Sequence, residues 1–322
     1  MKRFAFFVLV FVVLGFSVYG QSTARVYIAG SFTDVATQRA CYWVDGTRVV
    51  LPDGYSAKRI AVENGIVYVA GIFGRQQICY WVDGVKHDLD STVSLNDMAV
   101  TDGRVRVYGR SSNGPYTYGH LWVDGVYQST TAIQRIVISD GIAYFLLNRS
   151  YAVYGQQQSL DLGPDDRFGS LSGITVVNGR VYVSGVHYAY NRNDSTSSYT
   201  PCYWVDGTRV NLSQPSRSTN LYSGAGYSTS GIAVVNGNVY VSGSYLQNPN
   251  DRDTTIACYW VNSTKTDLNG NQTFGIAVAN GNVYVIGNYK QGTLEIPCYW
   301  VDGVRRALPG AMSVNDIIAV TE

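Results

Sequence analysis

The side chains able to do chemistry recur at fixed places. All five cysteines (Cys41, Cys79, Cys202, Cys258, Cys298) and all six tryptophans (Trp43, Trp81, Trp122, Trp204, Trp260, Trp300) lie in copies of one hexapeptide, Cys-Tyr-Trp-Val-Asp-Gly. Such residues could bridge as disulfides, stack on sugars or, through the motif aspartates, hold a metal. Equivalent positions of repeated sheets lie about 10 Å apart, whereas a disulfide needs Cα atoms within ~7 Å. The spacing therefore predicts five buried free thiols, packed tryptophans, and aspartates that serve their Asp-Gly turns. No metal and no cofactor is expected. Three histidines remain: His87 on a fourth strand, His120 in place of a motif Cys, and His187 in a variable loop. His-Glu-x-x-His, Gly-x-Ser-x-Gly, the P-loop and Gly-x-Gly-x-x-Gly are all missing. Several loop acids exist, but sequence cannot pair them into the two carboxylates that glycoside cleavage needs. No catalytic residue is assigned.

These motifs must sit on repeated elements. The hexapeptide occurs at 41–46, 79–84, 202–207 and 298–303, with variants at 120–125 and 258–263 and a decayed copy, Ser-Tyr-Ala-Val-Tyr-Gly, at 150–155. Each copy follows a Val-Tyr-Val-x-Gly-like run, and most of those runs follow an Asn-Gly or Asp-Gly pair and a short apolar stretch. Ten residues after each Cys position stands Leu51, Leu89, Leu160, Leu212, Leu268 or Leu308, broken once by Thr130. Asn-Gly and Asp-Gly between alternating runs mark tight hairpins, so each repeat reads as four short strands. Seven units of about 43 residues predict an all-β, seven-bladed β-propeller. The described pattern starts in a second strand at Arg25 and stops in a first strand at Val320, so the C-terminal strand is expected to complete the first blade.

The Cys-Tyr-Trp-x-x-Gly and Val-Tyr-Val-x-Gly units resemble the tandem repeats of uncharacterised secreted bacterial β-propeller proteins over nearly all of residues 25–322. That resemblance implies the architecture and no activity. The double glycine of kelch repeats and the Gly-His…Trp-Asp signature are absent.

Lys2 and Arg3, the apolar stretch 4–16 and the small residues around Gly20 read as a secretory signal peptide over residues 1–20, with the propeller over 21–322. A secreted, periplasmic or surface location follows, without membrane insertion after cleavage; retention as an anchor is the competing reading. Lys and Arg number 24 against 23 Asp and Glu, a balance that excludes the basic footprint of a nucleic-acid binder. At 15% charged residues the chain is also far from the composition of a disordered protein.

Strand polarity places the Asn-Gly and Asp-Gly turns on one face and all the length variation on the other. The connection between second and third strands runs from 2 residues in the fourth repeat to 16 in the fifth. Variable segments on a rigid scaffold are where binding resides. The longest, 186–201, 213–230 and 244–257, fall in repeats five and six. They carry the candidate ligand-binding set Tyr188, Tyr190, Asn191, Arg192, Asp194, Tyr222, Tyr227, Tyr245, Asn250 and Arg252, a palette of rigid rings and adaptable polar groups. The run 248–253 has clustered oxygen ligands but lacks the Gly and distal Glu of a calcium loop. The expected function is a non-enzymatic module that grips a protein or glycan through this face. The alternative, resting on fold analogy, is a propeller lyase or glycoside hydrolase working in the central funnel.

Overall fold

The computed structural model describes residues 23–321, apart from 36, 75, 90–92, 115, 131–132, 162–166, 192–195, 214–215, 219–226 and 249–253. The expected signal peptide at 1–20 lies outside the described residues. No helix among the described residues is long and apolar enough to cross a membrane.

Seven antiparallel sheets form a seven-bladed propeller, as the repeats predict. Blade 1 is ordered β29 (Ala311–Thr321), β1 (Ala24–Asp34), β2 (Thr37–Val44), β3 (Thr47–Val50). The C-terminal strand thus supplies its innermost strand, with Ala24 paired to Thr321. Blade 2 holds β4 (Gly54–Glu63), β5 (Ile66–Phe73), β6 (Gln77–Val82) and β7 (Val85–Asp88). Blade 3 holds β8 (Ser94–Thr101), β9 (Arg104–Asn113), β10 (Tyr116–Val123) and β11 (Val126–Thr130). Blade 4 holds β12 (Arg135–Ser139), β13 (Ile142–Leu146), β14 (Ser150–Val153) and β15 (Gln156–Ser159). Blade 5 holds β16 (Arg167–Val177), β17 (Arg180–Asn191), β18 (Thr196–Val205) and β19 (Thr208–Asn211), with β20 (Ser216–Ser218) added against β18. Blade 6 holds β21 (Tyr227–Val235), β22 (Asn238–Leu246), β23 (Thr255–Val261) and β24 (Thr264–Asp267), and blade 7 holds β25 (Gln272–Ala279), β26 (Asn282–Gln291), β27 (Leu294–Val301) and β28 (Val304–Ala307).

The motif aspartate does more than turn the chain. Asp45 and Gly46 take φ of 51° and 83°, the paired positive values of a tight hairpin. The Asp45 carboxylate also accepts the Val26 N–H at 2.8 Å, tying the outer hairpin to the start of the second strand. Asp83, Asp124, Asp206 and Asp302 repeat this bond, and Asn262 makes it through its amide oxygen. In the decayed fourth copy, Tyr154 replaces the aspartate.

The core is a ring of clusters between neighbouring blades. At each of six interfaces the Leu that ends one blade packs with the Trp of the next: Leu51 with Trp81, Leu89 with Trp122, Leu160 with Trp204, Leu212 with Trp260, Leu268 with Trp300, and Leu308 with Trp43. The interface of blades 3 and 4 instead buries Ala99, Tyr108, Ile133 and Ile136. All five cysteines are buried and free, as expected. Burial pushes the thiols of Cys41, Cys202 and Cys298 up to about 12, and those of Cys79 and Cys258 up as well.

The expectation of long loops needs correcting. Much of the inserted length continues the ladder instead: β17 and β18 stay paired out to Asn191 and Thr196, and β22 and β23 to Leu246 and Thr255. Backbone groups in such an insertion pair with each other more cheaply than they stay unpaired. His187, expected in a loop, therefore lies on β17 opposite Thr200.

Candidate functional site

The seven innermost strands line a central channel. Ile60, Met98, Ile136, Ile174, Ile232, Ile276 and Ile317 occupy one register position against their second strands. The residue before each forms a ring around the channel: Arg59, Asp97, Arg135, Gly173, Gly231, Gly275 and Asp316. Four consecutive blades, starting from β29, thus contribute acid, base, acid, base; the other three contribute glycine.

On the charged side, the two acidic strands carry the same dipeptide, Asn96-Asp97 and Asn315-Asp316, and grip the next strand in the same way. Asn96 Nδ2 donates to the Ile133 carbonyl at 2.6 Å while Asp97 Oδ2 accepts the Ile136 N–H at 2.8 Å. Asn315 Nδ2 donates to the Ala57 carbonyl at 2.7 Å while Asp316 Oδ2 accepts the Ile60 N–H at 3.0 Å. Arg59 bonds Asp97 Oδ1 through Nε at 2.8 Å and the Asn96 carbonyl through Nη2 at 2.6 Å. Arg135 Nη1 reaches the same Oδ1 at 3.5 Å. Burial raises the Asp316 carboxyl above the ordinary range, against the pull of Arg59, Arg135 and the Ile60 N–H, and Asp97 adds to the rise. Burial, helped by Arg59, lowers the Lys58 amine.

On the glycine side, hydroxyls replace charges. Ser172 Oγ lies 2.8 Å from Thr229 Oγ1 and 2.9 Å from Ser184 Oγ. One blade on, Ser230 Oγ lies 2.8 Å from both Thr273 Oγ1 and Ser242 Oγ. Glycine leaves room for close approach: a Cβ on Gly173 would stand 3.2 Å from the Ile232 nitrogen, and one on Gly231 3.2 Å from the Ile276 nitrogen, tighter than side chains ordinarily pack. The space bounded by Asp97, Arg135, Asp316 and these glycines measures about 190 Å³. That is smaller than the roughly 300–1,000 Å³ of ordinary ligand pockets.

The sequence-predicted set divides in three. Tyr188 and Tyr190 stand two residues apart on β17 and so share a face. Tyr199, opposite Tyr188, joins them with ring centroids 5.0 Å apart at 57°, and Tyr188 Oη bonds Ser197 Oγ at 3.1 Å. Strand β20 pairs with β18 at Ser197, Ser198 and Tyr199, so this projection is three strands wide. Tyr227 and Tyr245 face each other in blade 6, centroids 5.9 Å apart. Tyr245 is already engaged: Lys265 Nζ sits 3.6 Å from its ring centroid and Asp267 accepts its hydroxyl at 3.0 Å. The same rivet recurs as Arg48 on Phe32, Lys86 on Phe73 and Arg305 on Tyr289, which makes Tyr245 part of the repeat's packing. Asn191 ends β17. Arg192, Asp194, Tyr222, Asn250 and Arg252 lie outside the described residues, as does most of the 248–253 run. No cluster of His, Cys, Asp or Glu able to hold a metal occurs among the described residues.

The channel ring was missed in the sequence. Its signal was present in the recurring Asn-Asp before the apolar runs Met98-Ala99-Val100 and Ile317-Ile318-Ala319.

No protein-family model matches the chain, and no curated protein sequence does. Among solved structures it is similar to the beta-xylosidase RS223 (13% identity, 80% of this chain and 96% of that one, TM-score 0.35). It is similar also to the GH43_1 enzyme from Xanthomonas citri complexed with xylotriose (11% identity, 80% and 92%, TM-score 0.36). A third is Drosophila Semaphorin 1b, extracellular domains 1-2 (12% identity, 75% and 51%, TM-score 0.31). Likenesses this weak carry no inference about activity; the seven-bladed architecture rests on the strand pairing.

Proposed function

We propose that the chain is a secreted or surface-displayed binding module, non-enzymatic, that recognises its partner through the face bearing the β17–β18 projection. The observation that carries this reading is the three-stranded projection itself. Blade 5 departs from its sister blades by adding β20 beside a lengthened hairpin and placing Tyr188, Tyr190 and Tyr199 on one face. Tyrosine supplies contact area at low conformational cost, and a third strand lowers that cost again. Half-buried tyrosine ring faces suit a glycan better than a strongly charged protein surface. The test is a glycan-array screen of residues 21–322 beside a variant in which residues 189–198 are replaced by an Asn-Gly turn, with thermal melting on both. Glycan binding lost in a variant that still melts cooperatively supports the reading. Binding unchanged in that variant overturns the location, and silence on the array moves the partner to protein.

A second reading, a propeller glycoside hydrolase or lyase, is favoured by one observation: burial raises the carboxyl of Asp316 in the channel, the direction in which a general acid is tuned. Against it stand the small channel space and the use of Asp316 and Asp97 as strand-to-strand acceptors. Turnover of aryl glycosides that disappears in Asp316→Asn supports this reading; no turnover by the intact protein removes it.

A further inference from the structure

The Leu–Trp pair that closes six blade interfaces is lost on both sides of the seventh. At the junction of blades 3 and 4, Thr130 stands where the other blades end in Leu, and Ala152 stands at the Trp position of the fourth hexapeptide. Blade 4 has also exchanged the glycine before its third strand for Leu147 and the motif Cys for Ser150. Leu147 stands where other blades have a glycine enclosed on two sides: at Gly185 an added Cβ would meet the Ser170 carbonyl oxygen of the first strand and lie 3.0 Å from Cζ3 of the blade's own Trp204. Blade 4 lacks that Trp, and β12 pairs with β13 without the register shift that β16 makes against β17.

Leu147 does not fill the vacated volume. A cavity of about 610 Å³ remains, bounded by Thr130, Ile133, Phe145, Leu147 and Ala152, with Asn148 beside them. Its size lies within the roughly 300–1,000 Å³ of ligand sites, and apolar walls with a few polar groups are their usual lining. It begins beside the variable connections, where Thr130 ends blade 3 and residues 147–149 link the second and third strands of blade 4, and runs along β14 to Gly155 in the hairpin of the other face. Among the seven such links this one is the shortest, so no hairpin of its own blade overhangs the space. Arg149, Ser150 and Gln157 add polar groups to its lining, Gln157 Nε2 donating to Ser150 Oγ at 2.7 Å. Gln134, next to Ile133 and bonded through Nε2 to Asn148 Oδ1 at 3.4 Å, keeps a buried side-chain oxygen without a partner.

We propose that this cavity is a binding site for a planar, indole-sized aromatic group, which takes the place that the other blades give to their own tryptophan. The shape of the site is inherited from a repeat built to hold an indole against a leucine. An N–H on the incoming ring is a donor for the Gln134 oxygen left without a partner beside the cavity. Such a group could arrive as a free small molecule or as the tryptophan side chain of a peptide; the chemistry is shared. This site is independent of the β17–β18 projection and stands or falls separately from it.

The test uses residues 21–322 and fluorine NMR of 5-fluoroindole, with the pair Leu147→Gly and Ala152→Trp as one variant, Thr130→Leu as another, and thermal melting as the check on folding. Ala152→Trp is made together with Leu147→Gly because Leu147 occupies the position that faces the ring in the other blades. Saturable binding is expected, weakened at least tenfold by this pair and measurably by Thr130→Leu. The pair is expected to melt no lower than the parent. No saturable binding to the parent overturns the proposal, and so does equal binding to parent and Thr130→Leu together with the folded pair. N-acetyl-tryptophanamide, titrated in parallel, separates the sources: if it competes with 5-fluoroindole the site admits a peptide side chain, and if it does not the site is for a free ring. Loss of glycan binding in the 189–198 variant leaves 5-fluoroindole binding unaltered.

Discussion

Around one channel the molecule solves the same packing problem twice. From β29 to β12 the innermost strands are held by Asp316, Arg59, Asp97 and Arg135, with carboxylates gripping backbone N–H groups of the next strand. From β16 to β25 they are held by closeness, with Gly173, Gly231 and Gly275 leaving room for bare strand-on-strand contact and Ser-Thr hydroxyl pairs completing the polar groups. Charges reach across a gap and glycines remove it. A side chain on the charged half is therefore a bond that can be cut, whereas one on the glycine half is an obstruction that can only be added. The two halves should answer opposite kinds of mutation.

Cutting is expected to be the larger effect. Asp97→Ala leaves Arg59 Nε and the Ile136 N–H without their acceptor and the guanidinium without its carboxylate in a mostly buried setting, and a loss of about 3–5 kcal/mol in denaturant unfolding is expected. A loss under 1 kcal/mol would show that the charged half, too, is held by packing. Adding comes next: Gly231→Val pushes a branched side chain at the Ile276 backbone, with an expected cost of about 1–3 kcal/mol. A neutral result would mean the glycine half has slack, and the comparison would fail on that side.

The third test is in pH. The Asp316 carboxyl is raised in the folded state from its ordinary 3.8, so the native state binds this proton more tightly than the unfolded chain. Its contribution is fully present below about 4 and is lost as pH rises through the raised value. Asp316→Asn keeps an oxygen for the Ile60 N–H and is expected to flatten the fall in stability with pH over that window. An unaltered slope would detach Asp316 from the ring's electrostatics. The smallest effect is a control shared by both halves. Lys86→Ala in blade 2 and Arg305→Ala in blade 7 each remove a cation from an aromatic face, with equal losses of about 0.5–1 kcal/mol expected; unequal losses would show that the asymmetry spreads beyond the channel.

The architecture was legible because it is written seven times: the Asp-Gly hairpins, the Val-Tyr-Val runs and the buried Cys and Trp recur often enough to outvote any decayed copy. The site was less legible because it is written in exceptions. Thr130 and Ala152 were each visible as departures from the repeat, yet only the meeting of one blade's end with the next blade's third strand shows that they vacate the same space. Arg59, Asp97 and Asp316 belong to three blades and converge only at the axis. The reading of 186–201 as loop missed that backbone polar groups in an insertion of that length pair with one another, which put His187, Tyr188 and Tyr190 on a strand.

The pairing of Ala24 with Thr321 has a consequence in time. As the chain is made, blades 2 to 7 can each complete from neighbouring segments, while β1 waits for β29 with its inner edge unpaired. An unpaired edge held open through synthesis is a surface on which other chains can add. The first blade begun is closed only by β29, so its inner edge stays open after the other six blades have all their strands.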